Sequence, residues 1–272
     1  MRKEEIRGRD GVVHEVKVYF HQAVTLVWAG SEMVFPLGWE LLAPGEGELT
    51  AALRLLTRLL PRLSHTVDLV LGDGLYACRP FIKLVLEHGL HPLVISSGQT
   101  EMDQELALFI ENEPGRHLPS DLQAWEMEST AWEKDIGQPL RLLHFRRLYP
   151  AKPWKKERSH LRFFTTAKVD VMPSGQGWKV GRHRWKIENG TFNLLTRDYS
   201  LEHNYRHSPA AIVALLCLRS LALCFTAAYH RHAIARSRSA PKDLLRWFLP
   251  IFQEDWVRYL DAALRPAAPD SG

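Results

Sequence analysis

Cysteine is scarce: Cys78, Cys217 and Cys224 are the only three in 272 residues, and no two form a Cys-x-x-Cys pair. A disulfide framework is therefore excluded, and the three read as packing residues of a cytosolic protein. No internal repeat is present, and no apolar stretch of the signal-peptide kind follows Met1-Arg2-Lys3-Glu4-Glu5. Long hydrophobic runs are also rare. The longest, residues 209–229, contains Arg219 at mid-segment, so it is expected to be a buried helix rather than a membrane span, with Cys217 and Cys224 on one inward face. Acidic residues are depleted in one region: residues 139–190 hold 13 Lys/Arg against 3 Asp/Glu. Because the whole chain carries only +4, the remainder is net negative. This asymmetry points to a surface turned towards a polyanion more strongly than the total charge does, while a run of this kind viewed alone reads by default as a solvated charged face.

Hydrophobic residues make up 46% of the chain, enough for one large core or two small ones. Residues 12–28, dense in Val, Tyr, Phe, Thr and Trp, and residues 33–37 read as paired strands. Leu49, Ala52, Leu53, Leu56, Leu59 and Leu60 recur at helical spacing behind Pro44-Gly45-Glu46-Gly47-Glu48, with Glu46 and Glu48 at the start suiting the helix dipole. Residues 66–71 form a short apolar strand, 80–87 a helix and 93–95 another strand. The expected sheet is mixed, antiparallel at its start and parallel after the first helix.

Residues 98–177 change character, with strand-like runs at 124–132, 140–148 and 161–167 between polar loops. The expected organisation is a first catalytic segment (1–97), a β-rich basic insertion (98–177), a helical remainder (178–265, including an amphipathic stretch at 241–260) and a frayed tail (266–272). Trp125, Trp132, Trp154 and Trp178 are expected to pack that insertion rather than stack on bases. His203, His207, His230 and His232 lack zinc-site spacing and read as polar and cap residues.

Two carboxylates invite a chemical reading. Asp73, in Gly72-Asp73-Gly74-Leu75-Tyr76, follows an apolar strand, where open α/β sheets bind ligands; it is equally a turn aspartate. On a helix, Trp185, Glu188, Phe192 and Leu195 share a stripe, which would turn Glu188 inward. Gly190 nearby suggests close approach of another group. A bound cation would explain an inward carboxylate, and so would an ion pair with Arg184. Oxygen donors from separate elements suit Mg²⁺ or Mn²⁺ in phosphoryl transfer, with a nucleic-acid backbone as substrate.

These motifs, Gly72-Asp73-Gly74-Leu75-Tyr76, Arg184-Trp185-Lys186-Ile187-Glu188-Asn189 with Phe192-Asn193, and Tyr199-Ser200-Leu201-Glu202-His203, resemble the second and third acidic motifs of DDE transposases from bacterial insertion sequences. The resemblance implies an α/β, ribonuclease-H-like mixed sheet with flanking helices, interrupted by a β-rich insertion before the glutamate-bearing helix. It implies that Asp73 and Glu188 are catalytic ligands of a two-metal Mg²⁺ or Mn²⁺ site. Arg184, Lys186, Arg197, Lys155, Lys156 and Arg158 would contact DNA. The implied partner is double-stranded DNA, both transposon ends and target, bound by a homodimer in the bacterial cytoplasm at the nucleoid, with no membrane involved.

Two departures stand out. Gly181 and Leu195 occupy positions where the related signature has Tyr and Lys, with Arg197 as a replacement cation. The first catalytic aspartate should end a buried strand, yet Asp10 follows a polar run and reads as a hairpin turn. The chain is thus expected to lack the first strand and to be an incomplete or inactive transposase, the alternative being a non-catalytic DNA-binding relic.

Overall fold

The computed structural model describes residues 2–7, 13–18, 20–29, 34–96, 98, 100–119, 121–148, 160–185, 187–203 and 207–229. Asp10, Trp154, Lys155, Lys156, Arg158, Lys186, His230, His232, the 241–260 stretch and the tail lie outside these residues.

The chain begins with two antiparallel hairpins, β1 (Arg2–Arg7) with β2 (Val13–Val18), and β3 (Ala23–Ala29) with β4 (Val34–Leu41). Helix α1 (Glu48–Leu63) follows, and its apolar stripe buries Ala51, Ala52, Leu55, Leu56 and Leu60. Glu46 lies before the helix, where it accepts from Arg54 at 2.5 Å, so only Glu48 occupies the first turn. Then come β5 (Leu69–Gly72), a 3₁₀ turn (Gly74–Tyr76), α2 (Arg79–Glu87), β6 (His91–Ile95) and α3 (Glu101–Asn112). The sheet is extended by β7 (Arg116–Leu118), β8 (Leu122–Ser129), β9 (Leu140–Arg147) and β10 (His160–Thr165), with the short α4 (Glu133–Ile136) between β8 and β9. α5 (Ser174–Arg182), a π-helical turn (Ile187–Phe192), α6 (Asn193–Tyr199) and α7 (Pro209–Tyr229) complete the described chain.

The main sheet has the order β5-β6-β10-β9-β8-β7. It is mixed: β5 and β6 are parallel, joined through α2, and every other neighbouring pair is antiparallel. Strands from the basic insertion continue this sheet by hydrogen-bonding onto the free edge of β6. The β3–β4 hairpin forms a separate ladder. Helix α3 has no counterpart in the sequence reading, although Thr100 and Asp103 form a capping box at its start.

Strand alternation divides the core into two layers. Leu142 and Phe164 face α2 and α3, packing with Ile82, Val85, Met102 and Leu106. Leu143, Phe145 and Phe163 face α5 and pack with Trp178 and Met172. Helix α5 approaches closely because it presents glycine to the sheet: a Cβ on Gly181 would stand 2.1 Å from Phe163 Cζ, and one on Gly177 2.9 Å from Phe145 Cζ. This close approach accounts for glycine at position 181. Gly181→Leu is expected to destabilise the protein by about 3 kcal/mol or more, since neither helix nor aromatic ring has room to move. Urea unfolding would measure it, and an unchanged midpoint would refute the packing argument.

Trp125, Trp132 and Trp178 are buried, as expected for packing residues. His144 is buried against the edge of Trp125, and its Nδ1 accepts from Arg162 Nε at 3.2 Å. Burial first, then the charges of Arg162, His160 and Arg146, hold its pKa down at about 4. The unfolded chain therefore binds a proton that the folded state refuses, and stability is lost as pH falls from about 6.5 towards 4. Between pH 7 and 4.5 the loss from this histidine should be roughly 2 to 3 kcal/mol. His144→Gln should flatten that part of the pH dependence of urea unfolding; an unchanged slope would contradict the assignment.

Helix α7 differs from expectation. Ile212, Leu216 and Leu223 pack with Trp39 and Leu195, but Leu218, Leu221 and Phe225 are exposed among the described residues. It is long and apolar enough to cross a membrane by length and composition. Arg219, however, is turned inward and donates to the carbonyls of Leu201 and His203. Cys217 is exposed and Cys224 half-buried, so they do not share a buried face.

Candidate active site

β5 and the π-helical turn bring the two predicted carboxylates to one cavity. Asp73 follows the last residue of β5 and caps the 3₁₀ turn, its Oδ1 accepting from Leu75 N at 3.0 Å. Gly72 before it lies tight under Tyr76, whose Cβ would be 2.8 Å from any added Cβ. The glycine therefore makes room for the tyrosine. Glu188 lines the same cavity, of about 240 Å³, together with Glu48, Tyr76 and Arg184.

Glu188 is not the inward carboxylate that its helical spacing predicts. Its side chain is 58% exposed, while that of its partner Arg184 is only 16% exposed and donates from Nη1 at 2.9 Å. The cause is local geometry. Residues 187–192 form a π-helical turn, which changes the number of residues per turn and takes Glu188 out of phase with the apolar stripe. π-helical turns often mark functional sites. The spacing argument for Gly190 also fails, since among the described residues a Cβ there would meet only Val34 Cγ2, at an ordinary 3.8 Å.

Glu48 and Tyr76 escaped the sequence reading. Glu48 looked like a dipole-matching acid in the first turn of α1; it accepts from the Tyr76 hydroxyl at 2.8 Å at the cavity wall. Burial, the hydrogen bond to Glu48 and the charges of Glu48 and Asp73 push the Tyr76 pKa up, so the phenol stays protonated at neutral pH. The only available sequence signal was the spacing between the α1 start and the strand end, which cannot show that they adjoin.

The predicted cations are dispersed. Arg184 lines the cavity and holds Glu188. Arg197 is bound to its neighbour Asp198 at 2.7 and 2.5 Å and does not line this cavity. Arg141, part of the basic run, is internal and ion-paired with Glu126. Two other arginines of that run are half-buried and lie over aromatic rings: Arg182 is 5.6 Å from the Trp178 centroid and 5.3 Å from that of Trp185, and Arg147 5.5 Å from Trp178.

Among the described residues, no three His, Cys, Asp or Glu side chains form a cluster placed to hold a metal. The donor set lining the cavity is nonetheless hard carboxylate oxygen. That suits Mg²⁺, which commonly takes one or two carboxylates and completes its shell with water and substrate phosphates.

Residues 32–225 match the transposase DDE domain, from just before β4 almost to the end of α7, and so include both carboxylates. The chain belongs to this family. No curated protein matches it. The mixed α/β architecture of this DDE domain, a six-stranded sheet flanked by helices, agrees with the ribonuclease-H-like fold. Family membership makes it a transposase domain, for which DNA is the substrate and a divalent metal the usual cofactor.

Proposed function

We propose that this DDE domain acts on double-stranded DNA by metal-dependent strand cleavage and strand transfer, with Asp73 and Glu188 as metal ligands, and that it is an incomplete catalyst by itself. The observation that carries the reading is the shared cavity of Asp73 and Glu188 at the carboxyl end of a parallel strand. Asp73 is oriented by the Leu75 N–H, and Glu188 by Arg184. Protonated Tyr76 ties down Glu48, keeping that carboxylate at the wall. When bound between these acids, Mg²⁺ or Mn²⁺ would polarise a phosphate and lower the pKa of an attacking water or DNA 3′-hydroxyl. The basic side chains of residues 139–190, with Lys155, Lys156, Arg158 and Lys186 among them, supply the DNA-facing charge. Transposon ends and target would be held by a homodimer in the cytoplasm at the nucleoid.

The missing three-acid cluster among the described residues favours a second reading, a DNA-binding relic without catalysis. Incubation with duplex DNA and Mn²⁺ separates the two. Weak nicking lost in Glu188→Gln supports the catalyst; salt-sensitive binding without nicking supports the relic. Nicking that survives in Glu188→Gln would remove this site from the chemistry. A strand-joining assay then distinguishes a transposase from a simple nuclease.

A further inference from the structure

The end of β9 and the start of β10 carry a compact block of basic side chains. In the register of this antiparallel pair His160 stands opposite Arg146, and Arg162 opposite His144. By strand alternation all four share the α3 face with Leu142 and Phe164. Like charges set directly opposite each other destabilise a sheet, so this grouping calls for a partner. Gly72 pairs with Val94 and Val94 with Phe164, which places the block at the carboxyl end of β5, the end that carries Asp73, two and three strands away from it.

Hydrogen bonds fix the orientation of the block. Arg162 Nε donates to His144 Nδ1 at 3.2 Å, so the proton of this neutral ring is on Nε2. That nitrogen faces His160 Nδ1 at 3.4 Å. His160 Nδ1 is therefore the acceptor, and the N–H of the neutral His160 ring is on Nε2. His160 is exposed, with His144 buried beside it. Towards β8, Arg146 Nη2 donates to Gln123 Oε1 at 2.7 Å, and its guanidinium lies 5.2 Å from the Trp125 ring centroid.

Counter-charge is short. Among the described residues the charges that act on the two histidines are positive: those of Arg146 and Arg162 on His160, and those of Arg162, His160 and Arg146 on His144. Asp103 of α3 comes only to 4.0 Å from Arg162 Nη1, and its oxygens already accept from Ser96 and Thr100. β8 contributes the uncharged Gln123 and Trp125, and β7 adds His117 opposite Gln123. Burial first, then the charges of Arg146 and Arg162, hold the His160 pKa below the ordinary histidine value. The same guanidiniums repel a metal ion, and Arg162 donates to the very nitrogen that a ligating His144 would need protonated. An anion meets neither objection. Guanidinium groups match a phosphate with paired N–H donors, and the His160 Nε2–H adds one more.

We propose that Arg146, His160 and Arg162 form a site for a phosphate group, with His144 as its buried support. The site stands whether or not the chain cuts DNA. A bound anion favours the charged form of a neighbouring histidine, so ligand and proton strengthen each other by one common factor, and the site holds its ligand more tightly as pH falls. A nucleic-acid backbone and a free oxyanion share this chemistry, and the test separates them.

The test uses the full chain and sodium sulfate, with chloride holding the ionic strength constant. Nitrogen NMR of the histidine rings follows protonation, the His160 signal being assigned by its loss in His160→Gln. Sulfate should raise the proton affinity of His160 by about fivefold or more. Arg146→Gln, a change at an exposed position, should abolish that rise, and Arg162→Gln, where it folds, should do the same. A short duplex in place of sulfate identifies the source. A rise with the duplex that is lost in Arg146→Gln assigns the site to backbone phosphate, and a rise with sulfate alone assigns it to a free oxyanion. No rise with either ligand, or an undiminished rise in Arg146→Gln, would overturn the proposal.

Discussion

Arg141→Met is expected to lower the unfolding free energy by about 3 kcal/mol, towards the lower end of the range for breaking a buried ion pair by removing one partner. Arg141 is 7% exposed and Glu126 29%, and this partial exposure of the acid moderates the cost. The guanidinium also donates to the Ala167 carbonyl at 3.0 Å, the Met172 carbonyl at 2.8 Å and Ser174 Oγ at 3.1 Å. It therefore fastens β9 to the turn that leads into α5. Ser174 in turn donates to Glu126, and burial, which would raise the pKa of this acid, is outweighed by the Arg141 and Ser174 hydrogen bonds that lower it. Loss of Arg141 would deprive two carbonyls of this donor and leave the Glu126 carboxylate with the Ser174 hydroxyl but without its ion-pair partner. Urea unfolding of Arg141→Met, and of Arg141→Met with Glu126→Leu, checks the account: the double variant should recover part of the loss. A single-variant change below about 1 kcal/mol would show that water replaces the guanidinium readily.

DNA affinity should collapse with salt. If about six phosphates are neutralised, affinity falls roughly a thousandfold between 50 and 200 mM salt. The basic region supplies enough cations: 13 Lys/Arg lie within residues 139–190. Arg141 is internal and Arg184 is committed to Glu188, so neither counts towards the DNA face. Replacing Lys155, Lys156 and Arg158 together by alanine should reduce the slope of log affinity against log salt by about three. Arg141→Met, measured where it remains folded, should leave that slope unchanged. Fluorescence anisotropy with a short duplex gives both slopes. A salt-independent affinity would rule out the basic run as a DNA-facing surface.

The legible parts of the sequence were those governed by local periodicity. The α1 stripe, the β9 run and the short strand before Asp73 can each be read from a window of a few residues, and each forms close to its expected position. The parallel β5–β6 pair followed from an intervening helix long enough to cross over. Three things could not be read in this way. The orientation of Glu188 depends on a π-helical turn, which leaves no periodic signature. The cavity role of Glu48 depends on the start of α1 meeting the end of β5, a contact set by tertiary packing. The burial of Arg141 within the basic run depends on strand phase and on what packs against it: the side chain points to the α5 side of the sheet, where Ser174 and two carbonyls receive it.

Titrating Mn²⁺ into the wild-type protein, Asp73→Asn, Glu188→Gln and the double variant, with free ion followed by electron paramagnetic resonance, tests the shared acidic site most directly. If both carboxylates hold the same ion, each single substitution should weaken binding at least tenfold and the double should lose little more than either single, a coupling that a double-mutant cycle isolates. Strictly additive losses, or a Glu188→Gln protein that binds Mn²⁺ as the wild type does, would contradict the account.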